Sequence, residues 1–310
     1  MDLRSFGKDK IKVITHSGNF HADEVFAVAA LFLLAEKEGK ELEIVRTRDE
    51  SEFQKADILI DVGMGYEPEK FRFDHHQKGG AGFHFNNPSL PYASFGLVWK
   101  HFGERICENK KVAEMIERKL VVPIDARDNG INITKNLIEG VVDYSLSREL
   151  VYAFRPTFEE SLEKSDEKFF ELMQIFKKIL ENEIKLSKSE VSGERKVLEE
   201  IKKQQEPEIL ILEDNIFWDE IVSKYKNITI VIVPEKDINA WSVETARDDT
   251  ANFDSNRAIF PKEWHGLRNG DLADVSGIHD AIFCHRNGFF AVAKSKESAI
   301  LMAKMALGKV

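Results

Sequence analysis

Three short hydrophobic runs of this chain each end in a side chain able to bind a metal ion. Lys12-Val13-Ile14-Thr15 runs into His16, Ile58-Leu59-Ile60 into Asp61, and Phe71-Arg72-Phe73 into Asp74-His75-His76. Each run reads as a β-strand. Open α/β sheets bind ligands beyond the carboxyl ends of their strands, so the three endings suggest one shared site. The segment that follows the first run, His16-Ser17-Gly18-Asn19-Phe20-His21-Ala22-Asp23-Glu24, places two His and an Asp within eight residues. Gly18 lets the backbone bend tightly enough for ligands at a strand end and a helix start to converge. Asp125 and Asp128, in Asp125-Ala126-Arg127-Asp128-Asn129-Gly130, are a fourth source of carboxylates.

Each of these groups also has an ordinary structural reading. Asn19 or Asp23 could cap a helix, and Asp61 before Val62-Gly63 could form a turn. Asp125 and Asp128 could sit in an Asx turn, the whole 125–130 segment being turn-like in composition. Two adjacent His on an extended strand point opposite ways, so Asp74-His75-His76 needs a bend after Asp74, which Gly79-Gly80 makes plausible. Taken together, imidazoles and carboxylates without a thiolate suit Mn²⁺, Fe²⁺, Zn²⁺ or Mg²⁺. Six or seven candidate ligands are too many for one tetrahedral site, and two ions are the economical reading. A metal pair can supply a hydroxide nucleophile and neutralise a phosphate oxygen, so the implied reaction is phosphoester hydrolysis. The chain has no Gly-x-Ser-x-Gly elbow, Walker loop or dinucleotide fingerprint to support another chemistry.

Alternating elements must position these groups. A strand at residues 11–15, a buried helix at 25–34 and strands at 42–46 and 58–62 favour a parallel sheet. Residues 79–91 read as a long Gly- and Asn-rich loop, and 93–102 and 112–122 as helices. Between 158 and 205 the chain is strongly charged, with Phe169, Leu172, Met173, Phe176, Ile179 and Leu180 at three-and-four spacing, as in one or two long amphipathic helices. These are expected to pack against the same chain or a second copy, which leaves a homo-oligomer open. Beyond Pro207 strands return, with a hairpin turning at Asn287-Gly288 and a final helix at 297–307.

At 310 residues two domains are the natural expectation. A net charge of −10 argues against coating duplex DNA or an anionic membrane by bulk attraction, so a phosphate-bearing partner must be held locally. Cys107 and Cys284 fit a reducing compartment. The first eight residues lack the features of a signal or transit peptide, and no apolar run is long enough for a membrane span. The cytoplasm is therefore the expected location.

The ordered motifs resemble the Myg (melanocyte proliferating gene) family of the DHH phosphoesterase superfamily. The resemblance rests on residues 15–24, Val45-Arg46-Thr47-Arg48-Asp49, Asp61-Val62-Gly63, Phe73-Asp74-His75-His76-Gln77, residues 96–103 and residues 125–130. It continues through Trp264-His265-Gly266-Leu267-Arg268, Val275-Ser276-Gly277-Ile278 and Ile282-Phe283-Cys284-His285. It implies an α/β fold: a mostly parallel, DHH-type metal-binding catalytic domain flanked by helices (1–155), a connecting helical segment (156–206), and a smaller C-terminal α/β substrate-binding domain (207–310). It also implies a metal-dependent 3′-to-5′ exonuclease acting on RNA or short oligonucleotides, with two Mn²⁺ ions as the expected cofactor and Mg²⁺ as the alternative. His16 matches the superfamily's leading ligand, and His21 and Asp23 fall where many relatives carry two Asp. Asp61 would bridge the ions, and His75 would be a further ligand. Among the catalytic residues, His76 would contact phosphate or give a proton to the leaving oxygen, and Asp74 would support it. For the final ligand Asp128 is preferred over Asp125, because Asp128-Asn129-Gly130 matches the relatives' Asp-Thr-Gly-like segment.

Residues 255–310 hold eight Lys or Arg against five Asp or Glu, a local excess of cations in an acidic protein. Arg268 and His285 are the expected phosphate contacts there, with Arg257 and Arg286 behind them, while Trp264 is expected in the core. Two other functions stay open: a phosphatase for pyrophosphate or cyclic nucleotides, and a non-catalytic metal- or nucleotide-binding regulator. An oligonucleotide needs a groove that tracks several phosphates, and a regulator needs a closed coordination shell.

Overall fold

The computed structural model describes residues 2–161 and 163–310, and of Phe253 the backbone alone. The chain forms two compact α/β units that part between Lys188 and Ser189, within the segment expected to connect domains. No helix among the described residues is long and apolar enough to cross a membrane.

The first unit is built on strands β1 (Lys10–Thr15), β2 (Glu41–Arg46), β3 (Ile58–Ile60), β4 (Tyr66–Glu67) and β5 (Arg72–Phe73). They lie in the order β2-β1-β3-β5-β4. The β1/β2, β1/β3 and β3/β5 pairs are parallel, and only the edge pair β4/β5 is antiparallel. A parallel arrangement forces crossovers, and helix α1 (Ala22–Glu38) makes the one from β1 to β2. Its near-continuous apolar sequence is explained by burial from Ala22 to Leu31, with Phe26 stacked between Phe95 and Phe176 at 5.1 and 3.9 Å. The short α2 (Glu50–Phe53) precedes β3, and α3 (Ser94–Cys107) packs on α1.

Two expectations change in this unit. Residues 79–91 are not a plain loop: β6 (Phe83–His84) and β7 (Asn87–Pro91) pair as a small hairpin. Nor is the 125–130 segment a turn. After α4 (Lys110–Ile116) and a π-helical stretch, α5 (Val122–Asp128) carries both aspartates on a helix. The turn signal in the composition loses because Ile124, Asp125 and Ala126 are buried, and the chain turns only at Gly130. A short α6 (Val151–Phe154) then leads to α7 (Lys164–Lys203), a single helix where one or two were expected. Phe169, Leu172, Met173, Phe176 and Leu180 are buried at helical spacing, and Phe169 meets Phe20 edge-on, so this stretch is covered by its own chain.

The second unit centres on β8 (Ile209–Ile211), α8 (Asp219–Val222), β9 (Ile230–Glu235), β10 (Ala240–Thr245), α9 (Asn269–Ser276), β11 (Ala281–Cys284), β12 (Phe290–Ala293) and α10 (Lys296–Ala306). The sheet order is β11-β12-β10-β9-β8, antiparallel except for β8/β9. Ile230 and Ile232 join a core cluster with Trp264, Leu272, Met302 and Ala303. The alternate β9 residues Val231 and Val233 join another with Val197, Leu210 and Trp218, as a sheet buried on both faces requires.

Candidate metal centre

Three parallel strands deliver the site at their carboxyl ends. His16 follows β1, Asp61 follows β3, and Asp74, His75 and His76 follow β5. Beyond β3 the backbone turns sharply: Asp61 and Met64 sit in the left-handed region at φ 58° and 52°. Such a conformation costs a non-glycine residue roughly 1–2 kcal/mol. Here it swings the Asp61 carboxylate between two imidazoles while its N–H still donates to the Phe73 carbonyl at 3.1 Å. Gly18, at φ 85°, makes the corresponding turn after β1, and its carbonyl accepts from Arg46 and Ser165. The bend required after Asp74 is present, because β5 ends at Phe73. Buried Asp74 then fixes the course of the chain through His75 and His76 by accepting from the Met64 and His76 N–H groups at 2.6 and 3.0 Å.

The buried side chains converge. His16 Nε2 is 3.1 Å from Glu24 Oε1 and 3.3 Å from Asp61 Oδ2. His75 Nε2 is 3.3 Å from Asp61 Oδ1, 3.2 Å from Asp128 Oδ2 and 3.9 Å from Asp23 Oδ2. Among the described residues, three overlapping groups bring their donor atoms close enough together that a metal ion could be held: His16, His21, Glu24 and Asp61; Asp61, His75 and His76; and His21, Asp23 and Asp128. Asp61 belongs to two of them, as does His21, the exposed residue at the start of α1.

The donor set fits divalent cations. Ligands about 2.1 Å from an octahedral ion stand roughly 3 Å apart, close to the separations here. His75 Nε2, although near three carboxylates, makes no hydrogen bond of acceptable geometry, and Asp23 Oδ1 is buried without a partner. Unspent buried polar atoms are costly, and a cation among them would use them. The electrostatics agree. Burial pushes Asp23 well above the usual carboxylate range, reinforced by the charges of Asp128, Asp61 and Glu24. Burial opposes protonation of His16 and His75, but contacts with Asp61 and Glu24 for the first, and with Asp128 and Asp61 for the second, push both up to about 10. The excess of negative charge is thus held by protons that metal binding would displace.

His76 stands at the rim with its side chain 53% exposed, its Nδ1 2.9 Å from Asp74 and 3.4 Å from Asp61. Asp74 raises its affinity for a proton against the effect of partial burial. Asp125 lies elsewhere. Fully buried, it takes hydrogen bonds from His84 Nε2 at 2.9 Å and from the Gly96 N–H at 3.0 Å, and it belongs to none of the three groups. A Cβ on Gly96 would fall 1.8 Å from its Oδ2, so the glycine makes room for this contact. The reading of the sequence did not single out Glu24 as a ligand, although it reaches back to the His21 N–H at 2.8 Å, the spacing of a capping box. Nor did it find Ser94, whose hydroxyl donates to Asp61 and whose N–H donates to Asp23. No local signal marks a residue that arrives from 71 positions away.

In the second unit the expected phosphate contacts differ in kind. The Arg257 guanidinium donates to the carbonyls of Val222, Ser223, Tyr225 and Ile228 and to Asp248, so its capacity is used within the fold. Arg268 is exposed and lies over the Phe283 ring at 5.2 Å. His285 accepts from the Asn287 N–H at 3.1 Å in the hairpin turn, Arg286 beside it is exposed, and Trp264 is buried in the core.

A family model described as an uncharacterised protein family (UPF0160), MYG1_exonuc, matches residues 12–307. The MYG1 protein of Dictyostelium discoideum is 32% identical, over 94% of this chain and 95% of its own length. The MYG1 exonuclease of Homo sapiens is 29% identical, over 96% of this chain and 86% of its own. Among solved structures, RecJ from Thermus thermophilus in complex with Mn²⁺ aligns with 96% of this chain and 50% of that one. It does so at 12% identity and a TM-score of 0.23, a likeness too low to argue from. With a match from within the first strand of the sheet to just past the final helix, and a relative 32% identical over nearly its whole length, the chain belongs to the MYG1 exonuclease family.

Proposed function

We propose that this protein is a metal-dependent phosphodiesterase of the DHH type that removes nucleotides from RNA or short oligonucleotides in the 3′-to-5′ direction. The observation that carries this reading is the pair of unspent buried atoms, Asp23 Oδ1 and His75 Nε2, within a cluster of carboxylates and imidazoles at the strand ends. His16, His21, Asp23, Glu24, Asp61, His75 and Asp128 would hold two divalent ions, with Asp61 shared between them, and Mn²⁺ or Mg²⁺ suits the oxygen and imidazole donors. When bound, such ions supply a nucleophile at neutral pH and neutralise charge on the phosphate.

The remaining work falls to the protein. Asp74 orients His76 through Nδ1 and favours its protonated form, which leaves Nε2 able to donate a proton toward the leaving oxygen. Ser94 and the N-terminal end of α3 hold Asp61 and Asp23 in place from outside the cluster. The test uses purified protein, Mn²⁺ and an oligoribonucleotide labelled at its 3′ end. Labelled mononucleotide should appear first, and a 5′-labelled substrate should give a descending ladder. Asp61→Ala should abolish both. Intact substrate across Mn²⁺, Mg²⁺, Zn²⁺ and Fe²⁺ would refute the reading, and early release of a 5′ label would refute the polarity.

A further inference from the structure

The first unit has a cavity of about 630 Å³ whose lining includes His21, His75, His76 and Asp128 of the metal-competent groups. The same lining includes Arg127, Arg148 and Arg155. One phosphodiester with its ions leaves much of such a space unfilled. Three guanidinium groups in one cavity of a protein with net charge −10 need an explanation, since cations here are usually neutralised by neighbouring carboxylates. Arg127 and Arg155 have no carboxylate partner among the described residues. Arg148, 64% exposed, has only Glu149 at 3.9 Å, and that carboxylate already accepts from the Ser145 N–H and hydroxyl.

Two of these arginines are tied to the site. Arg127 directly precedes Asp128 on α5 and donates to the Thr134 hydroxyl. Arg155, just after α6, donates through Nη2 to the Phe20 carbonyl, immediately before His21. Its plane lies over the Tyr152 ring at 4.3 Å, and its Nε is buried without a partner. A group held this firmly with a donor unspent is preorganised for an anion, and the guanidinium fork matches phosphate oxygens. Arg257 in the other unit, with every part of its fork engaged, shows what a purely structural arginine looks like in this chain.

We propose that Arg127, Arg148 and Arg155 form a second phosphate subsite, which takes the phosphodiester next to the one hydrolysed and so selects oligonucleotides over isolated phosphodiesters. The proposal rests on the phosphodiesterase reading above and moves the selecting cations from the C-terminal residues into the metal-binding unit itself.

The test compares the full chain with Arg148→Gln and with the double variant R148Q/R155Q. Arg148 is exposed, so its variant keeps the test valid if Arg155→Gln fails to fold. With Mn²⁺, kcat/KM is measured on 5′-phosphorylated triuridylate and on bis(p-nitrophenyl) phosphate, a single phosphodiester. The preference for the trinucleotide over the single diester should fall about threefold in the single variant and at least tenfold in the double one, mainly through KM. With Ca²⁺ in place of Mn²⁺, the slope of log Kd for the trinucleotide against log salt should drop by about 0.7 for each phosphate no longer neutralised. An unchanged preference, or an equal loss on both substrates, overturns the subsite. So does trinucleotide binding that is absent in the wild-type protein or equal in all forms. If neither substrate is hydrolysed but the variants lose trinucleotide binding and its salt slope, the subsite stands and the phosphodiesterase reading falls.

Discussion

Both units carry charged side chains that a sequence reader would assign to phosphate chemistry, but they use those charges differently. In the second unit Arg257 spends its fork on four backbone carbonyls and Asp248, tying the segment from Val222 to Ile228 to its own stretch of chain. In the first unit the buried atoms His75 Nε2 and Asp23 Oδ1 are unspent, and Asp61 accepts a left-handed backbone to reach them. A buried charge that is fully hydrogen-bonded stabilises a fold, whereas one left short is a cost that a ligand can offset. The useful question about a polar residue is therefore whether its bonding capacity is already taken.

The sharpest way to break this contrast is Asp61→Asn. Asn tolerates the left-handed conformation nearly as well as Asp, so the backbone strain is not the variable. The charge shared by two of the candidate ion groups is lost, and kcat/KM on an oligonucleotide should fall by roughly 10³-fold, about 4 kcal/mol. Activity within tenfold of wild type would remove Asp61 from the centre of the site. In the other unit Arg257→Ala should instead lower stability by about 3 kcal/mol, because it leaves four part-buried carbonyls without their donor. Arg268→Ala should change stability by less than about 0.5 kcal/mol. Melting curves of the two variants measure both effects, and similar curves would show that spent bonds do not distinguish these arginines.

These tests bear on what the sequence could reveal. His16, Asp61 and His75 were legible because each follows a short apolar run, and parallel strands bring their carboxyl ends together by rule. The helical face of Phe169, Leu172, Met173 and Phe176 was legible from period alone. Asp125 and Asp128 were not separable by spacing. On α5 they are three residues apart, yet one meets His75 and the other His84, a distinction set by α3 and the β6/β7 hairpin packing from elsewhere in the chain. His84 itself gave no signal, lying in a stretch whose Gly and Asn content reads as loop. The role of Arg257 depends on a turn of α8 and the β9 start that no local pattern places beside it.

A smaller effect sharpens the cost side of the comparison. The Asp23 carboxyl is held well above its usual range, first by burial and then by Asp128, Asp61 and Glu24. A raised carboxyl reduces stability at any pH above its ordinary value of 3.8, so Asp23→Asn should stabilise the metal-free protein by about 1–2 kcal/mol at pH 7 while impairing catalysis. Urea unfolding in the presence of a chelator measures this. A destabilised variant would mean that the bond from the Ser94 N–H outweighs the repulsion.

The smallest expected effect concerns His84, which is buried and satisfied like Arg257 but sits in the first unit. Burial by itself would lower its proton affinity, yet Asp125 and Glu117 outweigh that and push it up to about 9. A histidine raised in the folded state contributes stability that is complete below about pH 6.5 and is lost as the pH rises through 9. Asp125 titrates in a separate window. Burial, against the pull of His84 and of the Ala93 and Gly96 N–H groups, raises it to about 6, so its cost accrues between 3.8 and 6 and is complete before the His84 loss begins. Wild-type stability should accordingly fall between pH 6.5 and 9 by on the order of 1–2 kcal/mol more than that of the double variant His84→Gln/Asp125→Asn, in which neither member of the pair titrates. Parallel pH profiles for the two proteins would mean that His84 is neutral in the fold. The lock between the hairpin, α3 and α5 would then rest on packing and the Gly96 contact alone.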